Sequence, residues 1–130
     1  MKNLIGLLFL VVGLMTVGCG DEATGSPDGA VPPGGPTTHV VSSEDGNLSF
    51  LPADIVIAAG DMVRFEMTST HNAVEVSQDT YENGGVDALE GGFNVGFGDT
   101  ETITFDTPGL YYYVCQPHVP AGMIGTITVQ

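Results

Sequence analysis

From Thr38 to the C-terminus, apolar residues come in short alternating runs, each cut by glycine, proline, asparagine or aspartate. No run is long enough for an amphipathic helix, so this pattern restricts the chain to β-strands joined by tight turns. Met62 to Met67 is the clearest case: Val63, Phe65 and Met67 fall on one face, while Met62, Arg64 and Glu66 fall on the other. Further runs are His39-Val40-Val41, Leu48 to Leu51, Asp54 to Ala58, His71 to Ser77, Phe93 to Phe97, Ile103 to Phe105, Leu110 to Cys115 and Met123 to Val129. About eight short strands predict an all-β, Greek-key two-sheet β-sandwich. Residues 78–92 lose the alternation and carry four acids, which predicts a surface loop with one helical turn near Val86 to Leu89.

The ends define the organisation. Lys2, an apolar run from Leu4 to Val17, and Thr16-Val17-Gly18-Cys19 form the pattern of an export leader, too short to span a bilayer comfortably. Cys19 after glycine resembles the lipobox of bacterial lipoproteins, which implies a lipidated Cys19. Residues 20–37 are dominated by glycine, proline and small polar residues and read as a tether. The expected division is a signal peptide over 1–18, lipidated Cys19 and tether over 19–37, and one domain over 38–130. This places the domain outside the cytoplasm, on the periplasmic or cell-surface side, with membrane attachment through the lipid alone and a monomer as the default.

Charge excludes one class of partner. Sixteen acids face only Lys2 and Arg64, a formal net charge of −14. Nucleic acid binding needs clustered cations that are absent here. The same field favours encounter with a protein that carries a basic docking surface.

Cysteine gives the chemistry. Cys19 sits at the leader's end, outside the domain, so Cys115 is a lone thiol in an oxidising compartment. The alternation places Tyr111, Tyr113 and Cys115 on one face, pointing into the end of the sandwich. Gln116-Pro117 turns the chain, His118 returns toward the thiol, and Val119 to Gly122 leads to Met123. Thiolate, imidazole and thioether thus converge from one loop, and His71 at the start of an earlier strand is the natural fourth donor. Such a set, two imidazoles and a thiolate with a weak thioether, suits both oxidation states of copper. His39 lies beside the tether and is not expected to be a ligand.

The run Tyr113-Val114-Cys115-Gln116-Pro117-His118, then Met123-Ile124-Gly125, with His71-Asn72 upstream, resembles the plastocyanin and pseudoazurin branch of the cupredoxins, the type 1 (blue) copper proteins. The resemblance covers residues 38–130. It implies one copper ion held by His71, Cys115, His118 and Met123, with Asn72 tying the two ligand loops together. It also implies one-electron shuttling between redox proteins rather than an enzyme. His118 is then expected near the surface in an apolar patch of Pro117, Val119, Pro120 and Ala121. Val114 departs from the pattern by standing where plastocyanins carry a surface tyrosine, and residues 78–92 do not align.

Three other functions compete. A multicopper oxidase needs histidines flanking the cysteine, where Val114 and Gln116 stand. A copper chaperone or other copper-handling lipoprotein relies more often on methionine and histidine without a buried thiolate. A metal-free adhesive sandwich leaves the four donors a coincidence.

Overall fold

The computed structural model describes residues 34–130; the leader, Cys19 and most of the tether lie outside the described residues. Among the described residues, eight strands form two sheets. One holds β1 (Thr38–Ser42), β3 (Asp61–Glu66) and β6 (Thr100–Phe105), in the order β1-β3-β6. The other holds β2 (Asp54–Ile57), β4 (Ala73–Val76), β5 (Asn94–Val95), β7 (Gly109–Val114) and β8 (Ile124–Val129), in the order β2-β8-β7-β4-β5. β1 runs parallel to β3 and β2 parallel to β8, and the other pairs are antiparallel. The all-β, two-sheet sandwich expected from the alternation is the fold observed. No helix among the described residues is long and apolar enough to cross a membrane.

Alternation drives the assembly. Val63 and Phe65 of β3, Tyr113 of β7 and Ile127 of β8 each have no exposed surface, and they meet in one cluster with Phe50, Met67 and Phe105. Tyr113 is its centre, tilted by 54° against Phe50 at 4.7 Å and edge-on at 5.6 Å from Phe65. Its hydroxyl donates to the Ala53 carbonyl at 2.7 Å, which satisfies the one polar atom of a buried ring. Burial pushes the Tyr113 phenol far above its ordinary range, so it remains a donor throughout the working pH range.

At the opposite end from the Cys115 loop, Asp61 accepts from the backbone N–H groups of Thr37 (2.8 Å) and Ala58 (3.1 Å) and pairs with His39 Nε2 (2.9 Å). Those contacts hold its carboxyl below the usual carboxylate range and fix the start of β1 against the β2–β3 turn. His39 is therefore engaged far from the other two histidines.

Three local expectations are corrected. Leu48 to Leu51 is not a strand: only Leu51 pairs, with Ser42, before Pro52 interrupts the ladder and the chain crosses to the second sheet. The helical turn lies at α1 (Gln78–Glu82), not at Val86 to Leu89, because the Ser77 hydroxyl caps it by accepting from Thr80 N–H at 3.1 Å. Phe97 does not continue the inward face of Phe93 and Val95. Its strand ends at Val95, the chain turns through Gly96 and Gly98, and the ring is 53% exposed.

Gly125 on β8 lies so close to the core that a Cβ there would collide with the Ala53 carbonyl and with the Tyr113 ring and hydroxyl. Gly125→Ala is expected to cost about 2 kcal/mol or more by overpacking, lowering Tm by about 10 °C in a thermal melt. An unchanged Tm would contradict the packing described.

Candidate metal centre

Two loops at one end of the sandwich bring three donors together. The first, between β3 and β4, carries His71, held by its backbone N–H to the Thr68 carbonyl at 3.0 Å. The second joins β7 to β8. Cys115 ends the β7 ladder and opens a short 3-10 turn (Gln116–Ala121) with Pro117 in its first positions. Pro fits there because its missing N–H is not needed at the start of a helix. His118 donates its backbone N–H to the Cys115 carbonyl at 2.9 Å, and Gly122 closes the turn at φ 85°, a left-handed conformation that glycine adopts without strain. Cys115 N–H then donates to the Met123 carbonyl (3.0 Å), and Met123 N–H to the His118 carbonyl (3.2 Å). Three backbone hydrogen bonds thus fix Cys115, His118 and Met123 relative to one another.

The donor atoms of His71, Cys115 and His118 all lie within 4.8 Å of one another. Cys115 Sγ is 3.6 Å from His71 Nδ1 and 3.3 Å from His118 Nδ1, and the two Nδ1 atoms are 3.1 Å apart. A point equidistant from the corners of that triangle lies about 1.9 Å from each, close to the 2.0–2.3 Å of first-row metal bonds to nitrogen and sulfur. His71 Nε2 donates to the Glu44 carbonyl at 3.2 Å, which fixes the tautomer and leaves the Nδ1 lone pair facing the sulfur. The donor set is soft and mixed, two imidazoles and a thiol beside a thioether, and it fits copper. His71, Cys115 and Met123 are buried, whereas His118 is partly exposed.

Asn72, itself buried, spans the two loops. Its Oδ1 accepts from Gln116 N–H at 2.9 Å, and its Nδ2 donates to Gln116 Oε1 at 3.0 Å. Apolar packing encloses the centre, since Cys115 and Met123 share the cluster of Phe50, Phe65, Met67, Val95 and Tyr113. On the outer face of the β7 sheet Val114 is fully buried with Val76 and Val119, flanked by Tyr81, Tyr112 and Ile124. That corrects the expected apolar patch: Val119 turns inward, so Pro117, Pro120 and Ala121 are left exposed around His118. The Glu44 carbonyl is the site contact that no side-chain pattern signals, because every residue carries a carbonyl.

Residues 37–130 match the family described as copper binding proteins of the plastocyanin/azurin family. The chain belongs to this family. The minor chloroplast plastocyanin of Arabidopsis thaliana is 35% identical over 98 residues, covering 70% of this chain and 56% of that protein. The chain therefore spans little more than half the length of that relative. A plastocyanin of Scenedesmus fuscus is 36% identical over 97 residues, covering 72% of this chain and 98% of its own. The solved structure of a pseudoazurin from Sinorhizobium superposes with a TM-score of 0.57 at 29% identity, covering 72% of this chain and 74% of that one. Both branches named by the sequence resemblance are thus found among the similar family members.

Burial pushes the Cys115 thiol above its ordinary value, against the opposing pull of the Asn72 and His118 backbone N–H groups. A thiol raised in this way stabilises the metal-free fold below the ordinary thiol range and loses that contribution as pH rises above it. In metal-free protein at pH 7, Cys115 is expected to react with iodoacetamide about tenfold or more slowly than a free cysteine, accelerating at alkaline pH. Labelling at the free-cysteine rate would contradict the buried, protonated thiol.

Proposed function

We propose that the domain holds one copper ion through His71, Cys115, His118 and Met123 and works as a single-electron carrier between extracytoplasmic redox proteins. The observation that carries this reading is the triangle of Cys115 Sγ and the two Nδ1 atoms, already converged and already walled by apolar side chains. Bound copper supplies a one-electron couple. The residues supply the rest: the hydrogen-bonded turn keeps the donors in one arrangement, and the buried thiol is shielded from solvent oxidants. Val114 and Gln116, flanking Cys115, offer no histidines for a further copper cluster.

His118 is the partly exposed edge of the centre, and that access to the surface makes it the port for electron exchange. Pro117, Pro120 and Ala121 surround it with a low-polarity contact surface that a partner can cover without desolvating charge. Asn72 holds the two donor loops in register. The acids, including Asp79, Glu82, Asp87 and Glu90 beyond β4, attract a basic docking surface. Met1 to Gly18 act as an export leader, a lipidated Cys19 anchors the protein, and 19–37 act as the tether of a monomeric domain over 38–130.

With the copper-loaded protein, His118→Ala is expected to slow electron exchange by about tenfold or more, the scale on which ligand surroundings act. Wild-type reduction by a basic redox protein is expected to slow about tenfold or more between low salt and about 0.5 M salt. Retention of both copper and normal exchange by His118→Ala would contradict the port, and a salt-independent rate would contradict the charged encounter.

A further inference from the structure

The carboxamide of Gln116 is used at both ends. Its Oε1 accepts from Asn72 Nδ2 at 3.0 Å, and its Nε2 donates to the Val86 carbonyl at 2.8 Å. Val86 belongs to the segment 83–93 that links α1 to β5 and carries Asp87 and Glu90. The far end of that segment is pinned to β4. Leu89 N–H donates to the Glu75 carbonyl (2.8 Å), Glu75 N–H to the Phe93 carbonyl (2.9 Å), and Phe93 N–H to Glu75 Oε2 (3.1 Å). Ala88 adds an isolated bridge to Val76. Glu75 in turn lies on the strand that follows His71-Asn72, so the segment is held at one end by the β4 strand and at the other by Gln116.

We propose that Gln116 is a positioning residue: a strut through which the 83–93 segment holds the His71 loop and the Cys115–His118 loop in one geometry, setting copper retention and reduction potential. The inference rests on the copper-carrier reading. Its physical basis is the fit of one side chain to two opposite demands, an acceptor for Asn72 and a donor for a backbone carbonyl. Of the side chains of this length, glutamine alone offers both at neutral pH, since glutamate cannot donate and lysine or arginine cannot accept. Outer hydrogen-bond partners of this kind orient metal ligands and typically contribute about 10–100-fold to metal affinity. A segment tied in this way also transmits its own movements, so contact with the acidic residues of 83–93 bears on the donor loops.

Two variants separate the halves of the strut. Gln116→Glu keeps the acceptor for Asn72 and removes the donor to Val86; Gln116→Ala removes both, and the Gln116 backbone N–H to Asn72 Oδ1 survives in each. In metal-free protein, hydrogen exchange at the Leu89 and Gln116 amides is expected to rise about tenfold in both, the effect of losing one hydrogen bond. In copper-loaded protein, release to a chelator is expected to be about 10–100-fold faster for Gln116→Ala, and the reduction potential of both variants to differ from wild type. Wild-type amide exchange in both folded variants, or a wild-type potential in both, would overturn the strut. Because the exchange measurement needs no copper, it judges the strut even if wild type takes up no metal, an outcome that would instead sink the copper reading.

Discussion

The two donor loops at the working end of this domain are held together by the pair of hydrogen bonds between Asn72 and Gln116. Residues 44 positions apart in sequence are locked side chain to backbone and side chain to side chain, at 2.9 and 3.0 Å. That lock brings a histidine from one loop against a thiol and a histidine from another, with their donor atoms 3.1–3.6 Å apart. Three electron-rich atoms at such separations repel one another unless a cation or shared proton lies between them, so the surrounding structure must enforce the arrangement. The β7–β8 pairing, the 3-10 turn and the Tyr113-centred core supply that enforcement. Rigidity of this kind lets an ion change oxidation state with little rearrangement, which is the physical requirement of an electron carrier.

The division of burial follows the same logic. Cys115 and Met123 sit in the apolar core, protected from oxidation, while His118 alone reaches toward solvent. Charge is kept off the immediate rim, where Pro117, Pro120 and Ala121 lie, and concentrated on segments such as 78–92. In the proposed function, a partner is drawn by a long-range field and seated on a short-range apolar contact. The two roles do not compete for the same side chains.

Much of this was legible in the sequence because it rests on period-two alternation and on local spacing. Val63, Phe65 and Met67 announced their inward face, and Tyr113 and Cys115 theirs. Cys115, His118 and Met123 are close in sequence, so their convergence followed from a turn at Gln116-Pro117. What could not be read depends on tertiary context. Ser77 caps a helix only because the chain leaves β4 there, Val119 turns inward only because Val76 and Val114 form a second cluster, and Phe97 is exposed because Gly96 and Gly98 turn the chain. The Glu44 carbonyl that orients His71 and the Val86 carbonyl that receives Gln116 are backbone atoms with no sequence signature.

Whether Cys115 gives a thiolate to copper is read from the visible absorption and EPR spectra of the Cu(II)-loaded protein beside those of Cys115→Ser. An intense charge-transfer band with narrow copper hyperfine splitting is expected in wild type, with the loss of both in the variant. Weak bands that are the same in the two proteins would contradict it and remove Cys115 from the metal centre.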